Sequence, residues 1–334
     1  MPDLAHRKLI SIVTPCYDEG ENVTELHRRL SLVFDLLSDR YDFEIIAVEN
    51  GSRDDTYQKL LEIHARDARL KIVQLSRNWQ MEGGMTAGLA MAKGDAAVIM
   101  ASDLQDPPEL IPRFVEKWEQ GYENVYGVIS RRPDESRFRR LASAGFYRII
   151  NTISETPVPR NASDFRLVDR KVYEAFNGLA ERNRMVRAMW GFIGFRSIGV
   201  EHEREPRFGG KSKYRLLPIF DFAFRSILSY SYAPLKVFPL FGIACGLLSF
   251  IILVGFVLRV FIYGVPFDGF GTITSLVLLL FSMLFLFLGI VSEYVGMIYT
   301  ETRRRPLFIL RGTHGFENSV RPGSQTVDDL SLSR

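Results

Sequence analysis

Hydrophobic positions divide the chain in two. Up to about residue 128, short apolar runs alternate with amphipathic stretches, whereas beyond residue 235 two long segments carry no charge. LISIVTP (9–15), EIIAV (44–48), KIVQL (71–75), AAVIM (96–100) and NVYGVI (124–129) are apolar without strict alternation, as strands buried on both faces are. Helical spacing runs over 22–37, with Val23, Leu26, Leu30, Val33, Phe34 and Leu37 on one face. Further helices are predicted over 57–65, 82–92 and 108–120. This alternation predicts an α/β fold whose mainly parallel sheet is covered by helices on both faces. Ligands of such sheets bind at the carboxyl ends of the strands.

The uncharged segments 237–258 and 269–292 each exceed the ~20 residues that cross a ~30 Å hydrocarbon core, and together predict a two-helix transmembrane hairpin. Arg225 and Lys236 precede the first segment, and Arg303, Arg304, Arg305 and Arg311 follow the second. The link 260–268 has neither Lys nor Arg, and Arg259 can reach the interface with its long stem. The positive-inside rule then puts both termini in the cytoplasm, in a multi-pass protein. Residues 207–233 read as a Gly-rich basic loop, RFGGKSKY, followed by an interfacial amphipathic helix. The remaining boundaries are a globular domain over 1–206, the spans over 234–300 and a basic tail over 301–334, polar and disordered from 318.

Composition narrows the partners. A net charge of +3 without a long basic run argues against nucleic acid. Cys16 lies beside a soluble strand and Cys245 in an apolar span, so neither a disulfide nor a cysteine metal site is expected. No signal peptide is expected at the N-terminus.

Candidate chemistry gathers where strands end. The first is followed by Thr14-Pro15-Cys16-Tyr17-Asp18-Glu19, the second begins its turn at Glu49-Asn50-Gly51-Ser52, and the fourth leads into Ser102-Asp103-Leu104-Gln105-Asp106. Asp106-Pro107-Pro108-Glu109 also has the form of a helix start, with Asp106 as the cap. Acidic and amide groups at adjacent strand ends suit a polyanionic nucleotide held through a divalent cation with hard oxygen ligands.

VTPCYDEGENV, IIAVENGSRDDT, SRNWQMEGGMTAG, ASDLQDPPELIP and RFGGKSKY, in that order, resemble family 2 glycosyltransferases. The resemblance is to their polyprenyl-phosphate group, which includes dolichol-phosphate mannose synthases and bactoprenol glucosyltransferases. It extends through the spans to EYVGMIYTETRRRPLFI, which looks like the bacterial members. It implies a GT-A-like catalytic domain and a bacterial inner-membrane location. Pro15, Tyr17, Glu19, Glu49, Asn50 and Ser52 would line the nucleotide site, and Asp103 and Gln105 would hold Mg2+ or Mn2+. Two departures stand out. The family's Asp-Asp-Gly-Ser reads Glu49-Asn50-Gly51-Ser52, and the first carboxylate of its Asp-X-Asp motif is replaced by Ala101. On the acceptor side Arg139 and Ser143 match the lipid-phosphate residues, Arg131 stands near the place of a second arginine, and Asp164 in SDFRL faces the acceptor region. Arg207, Ser212 and Lys213 match a basic loop that closes over the diphosphate.

The implied reaction is inverting transfer of a hexose from a nucleotide sugar, with UDP-glucose first and GDP-mannose second, to undecaprenyl or another polyprenyl phosphate. A phosphate monoester is largely ionised at neutral pH, with a second pKa of ~6, so its oxygen attacks without a strong base. Two rivals have distinguishable signatures. A processive polysaccharide synthase would carry Gln-X-X-Arg-Trp, absent here, and an inactive nucleotide-binding scaffold or transporter accessory would explain Ala101. Gly242, Gly246 and Gly289 suit close packing with neighbouring helices and are compatible with a homo-oligomer.

Overall fold

All five expected strands form. β1 (Lys8–Cys16), β2 (Tyr41–Glu49), β3 (Leu70–Leu75), β4 (Ala96–Ile99) and β5 (Asn124–Arg131) are joined by three more: β6 (Ala162–Asp169), β7 (Ser197–Glu203) and β8 (Leu310–His314). The computed structural model describes residues 7–131, 161–179, 181–182 and 186–205, scattered positions from 244 to 264, and residues 269–316. The eight strands make one sheet in the order β7-β5-β6-β4-β1-β2-β3-β8. β4, β1, β2 and β3 form its parallel centre. β6 runs antiparallel between β4 and β5, and β8 is antiparallel to β3. The expectation of a mainly parallel α/β sheet therefore holds, with antiparallel pairs added on both sides of the centre.

Pleating of the central strands sends alternate side chains to two cores. Ile10, Ile12, Ile45 and Ala47 pack beneath α1 (Val23–Leu37), α2 (Thr56–Arg66) and α4 (Ile111–Glu119), where Phe34, Phe114 and Phe165 fill the interior. Val13, Ile46, Val48 and Ile99 pack beneath α3 (Gln80–Met91), α5 (Arg170–Gly178) and α6 (Val186–Ile193), with Phe176 and Trp190 stacked at 4.4 Å. α3 lies so close to the sheet that a methyl at Gly88 would collide with Val13 and come within 3.0 Å of Val48 Cγ2. That intimacy fixes the α3 N-terminus over the ends of β1 and β2.

The chain divides into two units, and the first, which contains the sheet, takes in the chain again from Arg305. Phe308 and Leu310 are buried there, Ser76 N donates to Ile309 O at 2.9 Å, and His314 Nε2 lies 3.0 Å from Tyr57 Oη. The sequence reading assigned this stretch to the tail, because a five-residue edge strand with one apolar residue has no periodicity to detect. The second unit contains α7 (Phe270–Thr302), of which 24 residues, Leu279–Thr302, are long and apolar enough to cross a membrane. It is the only such helix among the described residues. Phe285 and Ile298 on it are well exposed, and the Arg303 guanidinium sits 4.6 Å over the Tyr299 ring. Most of the other expected span, 237–258, lies outside the described residues, and those of its positions that are described, such as Leu248 and Ile251, are helical. A two-helix hairpin is thus not established by the fold itself.

Candidate functional site

The four parallel strands end at one rim, and each turns away through a left-handed residue: Asp18 (φ 50°) after β1, Gly51 (φ 72°) after β2, Gln80 (φ 63°) after β3 and Leu104 (φ 58°) after β4. For the three residues with a Cβ this conformation costs about 1–3 kcal/mol each and persists only where the surroundings impose it. Gly51 is needed for a second reason, since a Cβ there would meet Arg77 C at 2.6 Å. Left-handed turns at four adjacent strand ends, three of them strained, make this rim the candidate site.

Hydrogen bonds tie each turn to its neighbour across the sheet. Asn50 Oδ1 accepts from Trp79 N at 2.9 Å and its Nδ2 donates to Gln80 O at 2.8 Å, joining β2 to the β3–α3 turn. Ser52 Oγ accepts from Asp18 N at 3.1 Å, Asp18 Oδ1 accepts from Arg53 N at 2.7 Å, and Thr56 Oγ1 accepts from Glu19 N at 2.8 Å, joining β2 to β1. Ser102 Oγ donates to Pro15 O at 3.0 Å, joining β4 to β1. Asp106 Oδ2 accepts from Ser163 Oγ at 2.9 Å, joining the β4 turn to β6.

Within that frame the expected nucleotide residues occupy neighbouring turns. Pro15 packs against α3 at Gly84, and the Glu19 carboxylate accepts from Asn22 at the start of α1. Tyr17 is half-buried between them in sequence. Glu49 is buried and its Oε1 accepts from Ser52 N at 2.5 Å, so the longer acid closes its own turn. Burial would raise the Asp54 carboxyl, but hydrogen bonds from Thr56 and Gly20 hold it below the ordinary range.

Asp103 and Gln105 share the tight turn over Leu104. Gln105 N donates to Asp103 Oδ1 at 3.2 Å, and Asp103 is buried to all but 8% of its surface. A carboxylate and an amide oxygen are the hard donors that Mg2+ or Mn2+ prefers, so this pair fits such an ion. Among the described residues no group of three His, Cys, Asp or Glu is arranged to hold a metal. The pair therefore suits an ion that also takes oxygens from a bound diphosphate.

Asp106 corrects an expectation: it does not cap the following helix. The short 3-10 turn Pro108–Leu110 starts after Pro107, with no side-chain cap. Both Asp106 oxygens face the opposite direction, toward Ser163, His202 Nε2 at 3.0 Å and Arg204 Nη2 at 3.3 Å. Burial would raise its carboxyl, yet His202, Arg204 and Ser163 hold it below the ordinary range.

Asp164 stands on the other face. Arg166 pairs with Ile99, so Asp164 lies two residues past that pair, on the side where β4 runs into Ala101. Arg187 of α6 grips it with two bonds, of 2.9 and 2.7 Å. Burial alone would raise the Asp164 carboxyl, but Arg187 keeps it ionised. Burial pushes Glu82 at the start of α3 upward, and the nearby Asp164 charge adds to this. Burial pulls the Arg166 guanidinium down to about 10, and it stacks 5.1 Å over Trp190. Arg131 ends β5 opposite Glu203. Arg139, Ser143, Arg207, Ser212 and Lys213 lie outside the described residues.

Sequence reasoning missed Gln80, Glu82, Ser163, Arg187 and His202 because none stands in a motif that names its role. For His202 a weak signal existed. With Val200 it is one of two buried members of the alternating strand IGVEHE, where a histidine needs a polar partner.

Comparison with known proteins agrees with the motifs. The family model described as Glycosyl transferase family 2 matches residues 11–176. An uncharacterized glycosyltransferase of Synechocystis sp. is 37% identical over 92% of this chain and 96% of its own length. The SfII prophage-derived bactoprenol glucosyl transferase of Shigella flexneri is 30% identical over 91% of this chain and 98% of its own. Among solved structures, the mannosyl-3-phosphoglycerate synthase of Rubrobacter xylanophilus is 17% identical, with a TM-score of 0.47 over 65% of this chain and 71% of that one.

Proposed function

Since the chain belongs to glycosyltransferase family 2, we propose that it transfers a hexose from a nucleotide sugar to a polyprenyl phosphate at the cytoplasmic face of a bacterial inner membrane. The observation that supports this most is the tied rim, where four left-handed turns bring Glu19, Glu49, Asn50, Asp103 and Gln105 to the ends of adjacent parallel strands. Such a rim repels a bare diphosphate and favours one that arrives with a cation. The acceptor reading draws on the relatives named bactoprenol glucosyl transferase, which align over 98% of their length.

In this reading the turns of Pro15, Tyr17, Glu19, Glu49, Asn50 and Ser52 hold the nucleoside. A divalent cation bound by Asp103 and Gln105 would neutralise charge on the departing diphosphate. Arg139 and Ser143, with Arg131 nearby, orient the acceptor phosphate by resemblance to the family, and Arg207, Ser212 and Lys213 close over the donor. The phosphate oxygen is already ionised, so the protein has to position two anions and align them for one inverting displacement. Asp164, kept ionised by Arg187 on the α3 face of the rim, orients sugar hydroxyls beside the attacking oxygen.

The membrane arrangement has support from chain connectivity. The chain leaves the globular unit after β7 and returns to it to pair β8 with β3. A segment that leaves and rejoins one soluble unit crosses a bilayer an even number of times, and the two uncharged segments supply two crossings.

The test is transfer of radiolabel from a panel of nucleotide sugars to undecaprenyl phosphate by detergent-purified protein, with the product's anomeric configuration read by NMR. UDP-glucose is the first donor and GDP-mannose the second. Lipid-bound sugar of inverted configuration is expected, and retention of configuration or transfer only to a water-soluble acceptor contradicts the reading.

A further inference from the structure

The turn that carries Asp103 and Gln105 is strained at Leu104 and has no helix cap to hold it. It is held from below. The Asp106 carboxylate, 2% exposed, meets donors from two other strands, Ser163 Oγ of β6 at 2.9 Å and His202 Nε2 of β7 at 3.0 Å, together with Arg204 Nη2 at 3.3 Å just past β7. A carboxylate only accepts, so His202 carries its proton on Nε2. Gly127 makes room for the ring, whose Cε1 and Nδ1 lie 2.7 and 3.1 Å from where a Cβ on that residue would stand. Glu205 N donates to Gln105 O at 2.9 Å, one residue before Asp106, and Arg29 bridges Glu109 and Glu205 outside this core. Side chain and backbone thus lock adjacent residues of one turn to the end of β7.

We propose that Asp106 is the positioning residue of the metal turn, setting where the Asp103 carboxylate and the Gln105 amide stand by clamping the turn to β6 and β7. This rests on the reading that Asp103 and Gln105 receive the cation of a nucleoside diphosphate. Asp106 touches neither cation nor substrate. It stands behind the ligands as outer-shell carboxylates do, whose loss typically costs about 10–100-fold in metal affinity. Its geometry also answers the absent first carboxylate at Ala101. Asp106 does not take over that role, because its oxygens face the protein; it instead holds one carboxylate and one amide in a fixed relation.

The experiment titrates Mn2+ into full-length, detergent-purified protein with saturating UDP or GDP, reading free Mn2+ by electron paramagnetic resonance. Thermal unfolding is followed in parallel. Asp106→Asn is expected to weaken Mn2+ at least about tenfold, and Ser163→Ala a few-fold, with melting temperatures close to wild type. Asp103→Ala is expected to abolish nucleotide-dependent Mn2+ binding. Should Asp106→Asn fail to fold, Ser163→Ala and His202→Gln each remove one arm of the clamp and are expected to weaken Mn2+ in the folded protein. Folded Asp106 variants, or in their place folded single-arm variants, with wild-type Mn2+ affinity overturn the inference, as does a lowered melting temperature with unchanged affinity. Wild-type protein that takes up no Mn2+ with either nucleotide overturns the reading of the site itself.

Discussion

Asn50 spends both ends of its amide on a single turn, accepting from Trp79 N and donating to the carbonyl of Gln80, whose backbone is left-handed. An aspartate, the residue the family motif leads one to expect here, could accept but not donate, and would set a negative charge against a carbonyl. The departure from the motif therefore has a structural cause in the turn it serves. Asn50→Asp is expected to loosen the β3–α3 turn at a cost of about 1–3 kcal/mol. Steady-state kinetics should show donor KM rising roughly tenfold or more, with a smaller change in kcat.

Arg187 offers a pH test. Its two bonds keep the Asp164 carboxyl below the ordinary range against burial, while Arg166, Asp106 and Glu82 are the other charged groups close by. Removing the Arg187 guanidinium lets burial and the Asp106 charge raise Asp164, so the group protonates at higher pH. The acid limb of the pH–rate profile of Arg187→Ala is expected to move to higher pH, and Arg187→Lys to restore it in part. An unmoved limb would mean that Asp164 takes no part in turnover.

Cys16 is fully buried, and burial followed by the charge on Glu19 pushes its thiol up to about 12. Native protein carrying Cys245→Ser should resist a thiol reagent at pH 8 and react once unfolded. The sign of the linked stability follows. The unfolded thiol ionises near ~8.5 and the folded one does not, so the unfolded state holds fewer protons and stability falls as pH rises from there toward 12. In Cys16→Ala the melting temperature should decline less steeply between pH 8 and 10.

Gly88 keeps α3 against β1 and β2, where an added methyl would collide with Val13 and crowd Val48. Gly88→Ala is expected to destabilise by about 1–3 kcal/mol, read in denaturant unfolding of the sheet-containing unit.

The parallel centre was legible because strands buried on both faces leave unbroken apolar runs, and the helix over 22–37 because its six apolar positions are all buried in α1. The rim was legible as motifs, but not as a connected set. Side chains such as Ser52, Ser102 and Asn50 join turns far apart in sequence, and no local pattern encodes those partners. β6 escaped because the polar residues that build the site, Ser163, Asp164 and Arg166, interrupt its apolar run. β8 escaped because its register comes from β3, not from its own composition. Asp106 was misread as a cap since Asp-Pro-Pro-Glu satisfies local helix-start rules, whereas three donors from distant strands decide its orientation.

The central claim, a cation-assisted sugar transfer at the Asp103 turn, is tested most directly by one comparison. Wild-type protein and Asp103→Ala are incubated with undecaprenyl phosphate, Mn2+ or Mg2+ and radiolabelled nucleotide sugars, and the lipid is extracted. Label in the lipid that needs both the cation and Asp103 is the expected result. Folded wild-type protein that binds nucleotide yet labels no lipid with any donor, or an Asp103→Ala variant as active as wild type, would contradict it.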